Sequence, residues 1–383
     1  VKDAVNKVIY LRPEAKPAAI APLPPVSASE PLPSFAEPAC DQRQRPLRDL
    51  RISVTDRCNF RCTYCMPRDI FGVDYPFMPH ANLLRFEEIR RVAQAAVALG
   101  VRKLRLTGGE PLLRKGLDKL ISMLAPLTTP DGEAVELTLT TNATLLAQQA
   151  QALKQAGLKR VSVSLDALDA DVFSRLSDSS VAVATVLRGI EAADAAGLNP
   201  IKINMVVRKG ANEDQILPLA RYFKGSGHIL RFIEYMDVGN SNGWHMQEVL
   251  TGRQILDILQ SKFELQPIAP AYRGEVAARW RYADGGGEIG LITSVSQPFC
   301  GDCTRARLSP EGQLYLCLFA HQGYDLRGLL RQGASLETLQ SRLASIWHQR
   351  NDRYSELRGQ IAAEQLLDEL TKSQKIEMSY IGG

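Results

Sequence analysis

One local pattern repeats six times between Leu50 and Glu234, and that repeat limits the possible folds more than any other feature of the chain. Strand-like runs occur at 50–54, 103–107, 136–140, 160–165, 201–206 and 229–234. Between them, apolar residues recur at intervals of three and four, as in Phe86, Ile89, Val92, Ala93, Ala96 and Val97, the period of a helix with one buried face. Three of these helices end alike, at Leu99-Gly100-Val101, Ala156-Gly157-Leu158 and Ala196-Gly197-Leu198. A glycine in the left-handed C-cap position, then an apolar residue and a strand, returns the chain to a parallel sheet. Such a series fits a doubly wound sheet or an incomplete TIM-type barrel. Polar groups sit at the C-terminal ends of the strands: Thr107-Gly108-Gly109-Glu110, Thr140-Thr141-Asn142, Ser164-Leu165-Asp166 and Glu234-Tyr235-Met236. In a barrel those ends converge on one mouth, so the expected fold is α/β, an incomplete TIM-type (β/α)6 barrel over residues 46–240 with these groups facing one site.

The flanks differ from the repeat. Eight of the 21 prolines fall between Pro13 and Pro38, so residues 1–45 read as a disordered Pro/Ala-rich tail, with Cys40 a bystander in it. After about Asn240 come a helical stretch at 253–259, short strand-like pieces near 276–282, 289–292 and 314–316, and a helical remainder from 335 to 375. Residues 241–383 are therefore expected to form a smaller C-terminal α+β module. Charged residues at 23% and apolar residues at 45% are the composition of a soluble globular protein. No stretch has the apolar length of a membrane span, and the net charge of +4 is too small for a dedicated nucleic-acid surface. The N-terminus lacks the form of a secretory signal, so a cytoplasmic protein is expected.

Six of the seven cysteines fall into two triplets, Cys58-x3-Cys62-x2-Cys65 and Cys300-x2-Cys303-x13-Cys317. Clustered cysteines in a chain of this length read as metal ligands in a reducing compartment. Each triplet is one ligand short of a closed structural zinc site, whereas a centre that must touch a reactant keeps a position open. Zinc with a fourth ligand from elsewhere stays open as the alternative, and His321, four residues after Cys317, is a ready candidate at the second set.

The run Cys58-Asn59-Phe60-Arg61-Cys62-Thr63-Tyr64-Cys65 resembles the CxxxCxxC signature of radical S-adenosylmethionine enzymes, and Thr107-Gly108-Gly109-Glu110-Pro111 resembles their GGEP motif. The resemblance implies a 4Fe-4S cluster on Cys58, Cys62 and Cys65 whose open iron chelates S-adenosylmethionine. It also implies a 5′-deoxyadenosyl radical, chemistry outside the reach of any side chain. Residues 292–308 around the second triplet, 50–57, 231–240 and the final Gly382-Gly383 resemble, more narrowly, the GTP 3′,8-cyclase family of molybdenum cofactor biosynthesis. That resemblance runs from about Arg45 to the last residue.

Its implications are specific. The enzyme would be a lyase converting GTP to (8S)-3′,8-cyclo-7,8-dihydro-GTP, the first step of the pathway. A second 4Fe-4S cluster is implied on Cys300, Cys303 and Cys317. Matched position by position, Tyr64, Gly109, Ser164 and Met236 fall on S-adenosylmethionine; Arg51, Arg105, Thr140, Lys202, Arg305 and Arg307 fall on GTP. No GxxxxGK[ST] loop is present to cradle phosphates, so arginine forks are the natural substitute. Gly382 and Gly383 are implied to enter the active site and support turnover. The expected partners are GTP, an external electron donor and the downstream cyclic pyranopterin monophosphate synthase, in a homodimer, with no nucleic acid and no membrane. No Ser/His/Asp or paired-carboxylate arrangement demands a protein acid or base.

Overall fold

The protein is described here from a computed structural model covering residues 19–24, 38–358 and 375–382. Its strands are β1 (Ala19–Ala21), β2 (Asp49–Ser53), β3 (Lys103–Thr107), β4 (Glu136–Thr141), β5 (Arg160–Ser164), β6 (Lys202–Val207) and β7 (Ile229–Glu234). There follow β8 (Leu265–Ile268), β9 (Ala278–Tyr282), β10 (Glu288–Ile292), β11 (Arg305–Leu308), β12 (Gln313–Tyr315) and β13 (Gln322–Asp325). Strands β2 to β7 pair in chain order and all in parallel, with helices in the connections. This is the (β/α)6 partial barrel that the repeat predicts. Each of the three glycine hand-overs is realised: Gly100, Gly157 and Gly197 take φ of 106°, 110° and 73°. The following residue in each case, Val101, Leu158 or Leu198, donates back to Ala96, Leu153 or Ala193, the bond that closes a helix and turns the chain.

Alternation along the strands sorts the residues. Leu104 and Leu106 of β3 are fully buried against the helices, as are Ile89, Val92 and Ala93 from the helix Phe86–Ala98. Burial of each such side chain contributes on the order of 2 kcal/mol. The residues between them, beginning with Arg105, point to the other face, into the barrel.

Two expectations need correction. The part after Asn240 does not stand apart: β10 adds in parallel to β7 and β11 in parallel to β2, so among the described residues a single 13-stranded sheet runs through both parts. Glu234 shows the physical reason. Rather than facing the barrel mouth, it is buried and accepts from the backbone of Gly252 at 2.6 Å and of Val295 and Ser296 at 2.8 Å. The last carboxylate of the barrel thus fastens the later segments to it. Nor does the N-terminal tail extend to residue 45. Asp41 and Arg45 are among the most buried charged groups in the protein, and Ala19–Ala21 pairs in parallel with β13. Proline content concealed both, because the contacts that order these residues lie more than 250 positions away in sequence, at Cys300 and Asp352. Residues 1–18 and 25–37, and residues 359–374 of the expected C-terminal helix, lie outside the described residues.

Candidate active site

Strand register builds the site. Arg307 of β11 lies beside Arg51 of β2, Arg51 beside Arg105 of β3, and Arg105 beside Thr138 of β4. Thr140 then lies beside Ser162, Ser162 beside Lys202, and Asn204 beside Arg231. From these rows Arg307, Arg51, Arg105, Thr140, Lys202, Asn204 and Arg231 wall a cavity of about 820 Å³. The same cavity is lined by all six triplet cysteines, and by Tyr64, Gly109, Ser164, Met236, Arg51, Arg105, Thr140, Lys202, Arg305 and Arg307. Every expected site residue among those described, except Gly382, therefore lines one cavity. Sequence reasoning missed Arg231, although it alternates inward within the quoted strand 229–234.

The cationic belt is short of counter-charge. Burial, then Arg307 and Arg105, pull the Arg51 guanidinium down from its ordinary range. Burial and Arg305 lower Arg307 to about 10, burial and Arg105 lower Arg231 to about 9, and burial with Arg231 lowers Lys202 to about 7. The Nε atoms of Arg51, Arg105 and Arg231 and the hydroxyl of Thr140 are buried without a hydrogen-bond partner among the described residues. Buried donors and like charges are costly unless something anionic meets them. A polyanion with several oxygen acceptors, such as a nucleoside triphosphate, fits that deficit.

The first triplet occupies the loop after β2. A tight turn in which the Cys65 and Met66 amides both donate to the Cys62 carbonyl at 2.9 Å sets its shape. Phe60 is buried between the ligands and packs edge-on against Phe173 at 5.9 Å. Tyr64 donates to Asp166 at 2.6 Å, and Asp166 also accepts from the Val206 amide at 2.8 Å. Gly109 lies so close to the Arg57 carbonyl that any Cβ would collide with it. The next residue, Glu110, is buried and accepts from Leu112, Thr141 and Asn142 at 3.0, 2.7 and 2.7 Å, which locks this turn to β4. Burial and Glu110 push the Cys58 thiol up to about 12, and burial with Asp166 raises Cys62 well above the ordinary thiol range.

The second triplet lies across the cavity, split between the turn at Cys300–Asp302 and the loop after β12. Burial raises Cys317 to about 12. For Cys303, burial also acts upward, but Arg305 and Arg350 outweigh it and bring the thiol down to about 6. Arg305 donates to the Cys303 sulfur at 3.3 Å and stacks on Phe299. One of its donors is thus engaged by the thiol. His321, the candidate fourth zinc ligand, is not on the cavity wall. Among the described residues no three of His, Cys, Asp and Glu converge on a single-ion position. Thiols on a cubane each meet a different iron and need no common point, so free, soft sulfur donors in incomplete sets fit an iron–sulfur group.

The C-terminal segment enters the cavity from the side of Asp237. Lys375 donates to Asp237 at 2.9 Å, and Glu377 accepts from Asn240 at 3.0 Å and Ser241 at 2.8 Å. Met378 and Ser379 line the wall, and the Gly382 carbonyl accepts from Arg307. A side chain at Gly382 would run into Thr107. Gly383 lies outside the described residues. Lys375 and Glu377 carried no signal in the sequence, because a charge near a chain end usually lies in solvent.

Residues 52–223 match the Radical SAM superfamily and residues 228–356 match Molybdenum Cofactor Synthesis C. The structure of Streptococcus suis SuiB bound to S-adenosylmethionine is similar in fold, with a TM-score of 0.54 at 16% identity over 82% of this chain and 68% of that one. SuiB bound to its precursor peptide SuiA gives a TM-score of 0.56 at 15% identity, over 82% and 67%. Barrel, open thiol triplet and family match together define a radical S-adenosylmethionine protein. The GTP 3′,8-cyclase of Acidothermus cellulolyticus is 50% identical over 366 residues, 91% of this chain and 100% of that protein. That of Staphylococcus saprophyticus is 48% identical over 351 residues, again 91% and 100%. The chain belongs to the GTP 3′,8-cyclase family. Among the described residues no helix is long and apolar enough to cross a membrane.

Proposed function

We propose that this protein is a GTP 3′,8-cyclase, converting GTP to (8S)-3′,8-cyclo-7,8-dihydro-GTP at the first step of molybdenum cofactor biosynthesis. One observation carries the reading: two open thiol triplets and an under-compensated cationic belt share one cavity. Cys58, Cys62 and Cys65 would hold one 4Fe-4S cluster and Cys300, Cys303 and Cys317 a second. Bound there, the first cluster and S-adenosylmethionine supply the one-electron chemistry that removes a hydrogen atom from a sugar carbon.

The chain's own work is placement. Gly109 presents its backbone to the S-adenosylmethionine amino group because Glu110 holds the turn; Tyr64, fixed by Asp166, Ser164 and Met236 line the same pocket. Arg51, Arg105, Lys202 and Arg307, with Thr140 and Arg231, receive the triphosphate, and Arg305 bridges substrate and second cluster. Holding the two reactants in one cavity converts an encounter into an intramolecular event. Gly382 and Gly383 support turnover from the Arg307 side. An external donor supplies the electron, the product passes to cyclic pyranopterin monophosphate synthase, and the working unit is a cytoplasmic homodimer.

The test is anaerobic incubation of the reconstituted full chain with GTP, S-adenosylmethionine and dithionite. We expect iron with acid-labile sulfide, 5′-deoxyadenosine, and a cyclised nucleotide that needs both substrates. Zinc without sulfide, or 5′-deoxyadenosine with GTP returned intact, would overturn the reading.

A further inference from the structure

Beside the second triplet, outside the residues that line the cavity, two further buried guanidiniums share one carboxylate. Arg350 follows the helix Leu336–His348 and is 1% exposed. Its Nε donates to the Leu316 carbonyl at 3.1 Å; one terminal nitrogen donates to the Cys303 carbonyl at 2.7 Å and Asp41 at 3.2 Å; the other donates to the Cys303 sulfur at 3.2 Å. The plane lies 4.6 Å from the Trp347 ring centroid, which fixes its tilt. Asp41 also holds Arg45 at 2.6 Å, and Arg45 donates to the carbonyls of Cys300 at 2.7 Å and Asp352 at 2.8 Å. The pair therefore grips Cys300, Cys303 and the residue before Cys317.

The two guanidiniums face few anions: Asp41 meets both, and the Asp352 carboxylate, 41% exposed, lies 3.7 Å from the Arg350 Nε, beyond hydrogen-bond distance. A buried cation short of counter-charge is unfavourable. The further acceptor within hydrogen-bond reach of Arg350 is the Cys303 sulfur, which a bound metal keeps anionic. No guanidinium donates to a sulfur of the first triplet among the described residues; the donors at Cys58 include the Phe60 amide and the Asn142 side-chain amide, both uncharged. Hydrogen bonds to cluster sulfurs stabilise the reduced, more negative form and so raise the reduction potential.

We propose that Arg350, held by Asp41 and Trp347, is a positioning residue for the second iron–sulfur centre, fixing the Cys303 ligand and raising the potential of the cluster it binds. The inference rests on the two-cluster reading above, and the experiment separates the two. In the full chain carrying Cys58→Ser, Cys62→Ser and Cys65→Ser, only the second set can hold a cluster. This background should retain about four irons with sulfide; if it holds neither, the two-cluster reading falls and this proposal with it. Arg350→Gln is then added, and the reduced fraction is followed by electron paramagnetic resonance during an anaerobic dithionite titration. At a fixed solution potential the reduced-to-oxidised ratio should fall about tenfold, 59 mV for a one-electron couple. Arg350→Lys keeps the charge but not the fork and should fall about threefold, a loss a merely structural arginine would not produce with iron retained. An unchanged ratio in Arg350→Gln overturns the proposal. Should that variant fail to hold iron, an unchanged ratio in Arg350→Lys does so.

Discussion

The two thiol triplets line the same cavity but are built in opposite ways. Cys58, Cys62 and Cys65 come from one short loop whose turn is made by its own backbone. Their polar surroundings are acidic, with Glu110 and Asp166 both buried and held up at about 7 and about 6 by that burial. Cys300, Cys303 and Cys317 are drawn from separate turns and depend on Arg305, Arg350, Arg45 and Asp41. A locally encoded site beside acids favours neutral, protonated thiols until metal displaces the protons. The site assembled from distant parts has cations waiting, which suits an anionic sulfur and, beyond it, an anionic substrate.

The sharpest way to break this contrast is to remove one ligand from each side. Cys62→Ser should lose about half the iron and all 5′-deoxyadenosine formation, a fall of at least about a thousandfold, because no other group in the cavity can replace the cluster's chemistry. Cys317→Ser should also lose about half the iron, yet keep 5′-deoxyadenosine formation while losing the cyclised nucleotide. Iron analysis and chromatography of both products decide it. If either single substitution empties both sites, the triplets are not independent and the comparison fails.

The same contrast explains what could be read in advance. The first triplet, the glycine turn and the six βα units were legible because each is a local pattern: a spacing, a period or a cap. The second triplet's sulfurs were equally visible, but their setting was not. Asp41 stood within a proline-rich segment that reads as tail, and Arg350 is one basic residue after an amphipathic helix; only the fold brings them to Cys303. Glu234 misled for a related reason. Its position at a strand end is that of a site residue, and the carboxylate instead caps amides at Val295 and Ser296, 61 and 62 residues further on. Position along a strand predicts which end a side chain is near, not which partner wins it.

Arg307 joins the two halves of the contrast, since it belongs to the belt, follows Cys303 and meets the tail at Gly382. Replacing it with Gln removes what is, on the proposed reading, a charged donor to the triphosphate. The loss should be about 1.5–3 kcal/mol, or roughly ten- to a hundredfold in KM for GTP. On the proposed reading S-adenosylmethionine is held at the first triplet, so its KM should change less than about twofold on the same argument of distance. Equal changes in both constants would show that Arg307 shapes the whole cavity rather than the substrate side of it.

The smallest effect is a slope with pH, and its sign separates cations near the second triplet from those that lack a sulfur. Burial lowers Arg305, but Cys303 more than compensates and its guanidinium ends above its ordinary value. Lys202 has no such partner: burial first, then Arg231, Arg160 and Lys103, bring it from 10.5 to about 7. The free folded protein therefore binds fewer protons than the unfolded chain between about 7 and 10.5, so Lys202 makes folding more favourable as pH rises through that window and less so as pH falls through 7. A triphosphate bound at the belt as proposed would reverse the local balance, because its negative charge restores the ammonium form. Binding then takes up a proton, and GTP affinity should weaken with rising pH above 7, by at most about tenfold per pH unit. Calorimetry from pH 7.5 to 9.5 in buffers of different ionisation enthalpy reads that uptake directly. Lys202→Met should bind more weakly at pH 7.5 but lose the slope, so that the two proteins converge at the alkaline end. A slope that survives the substitution would assign the proton to another group, and would mean that the belt far from Cys303 is charged in the empty enzyme despite its crowding.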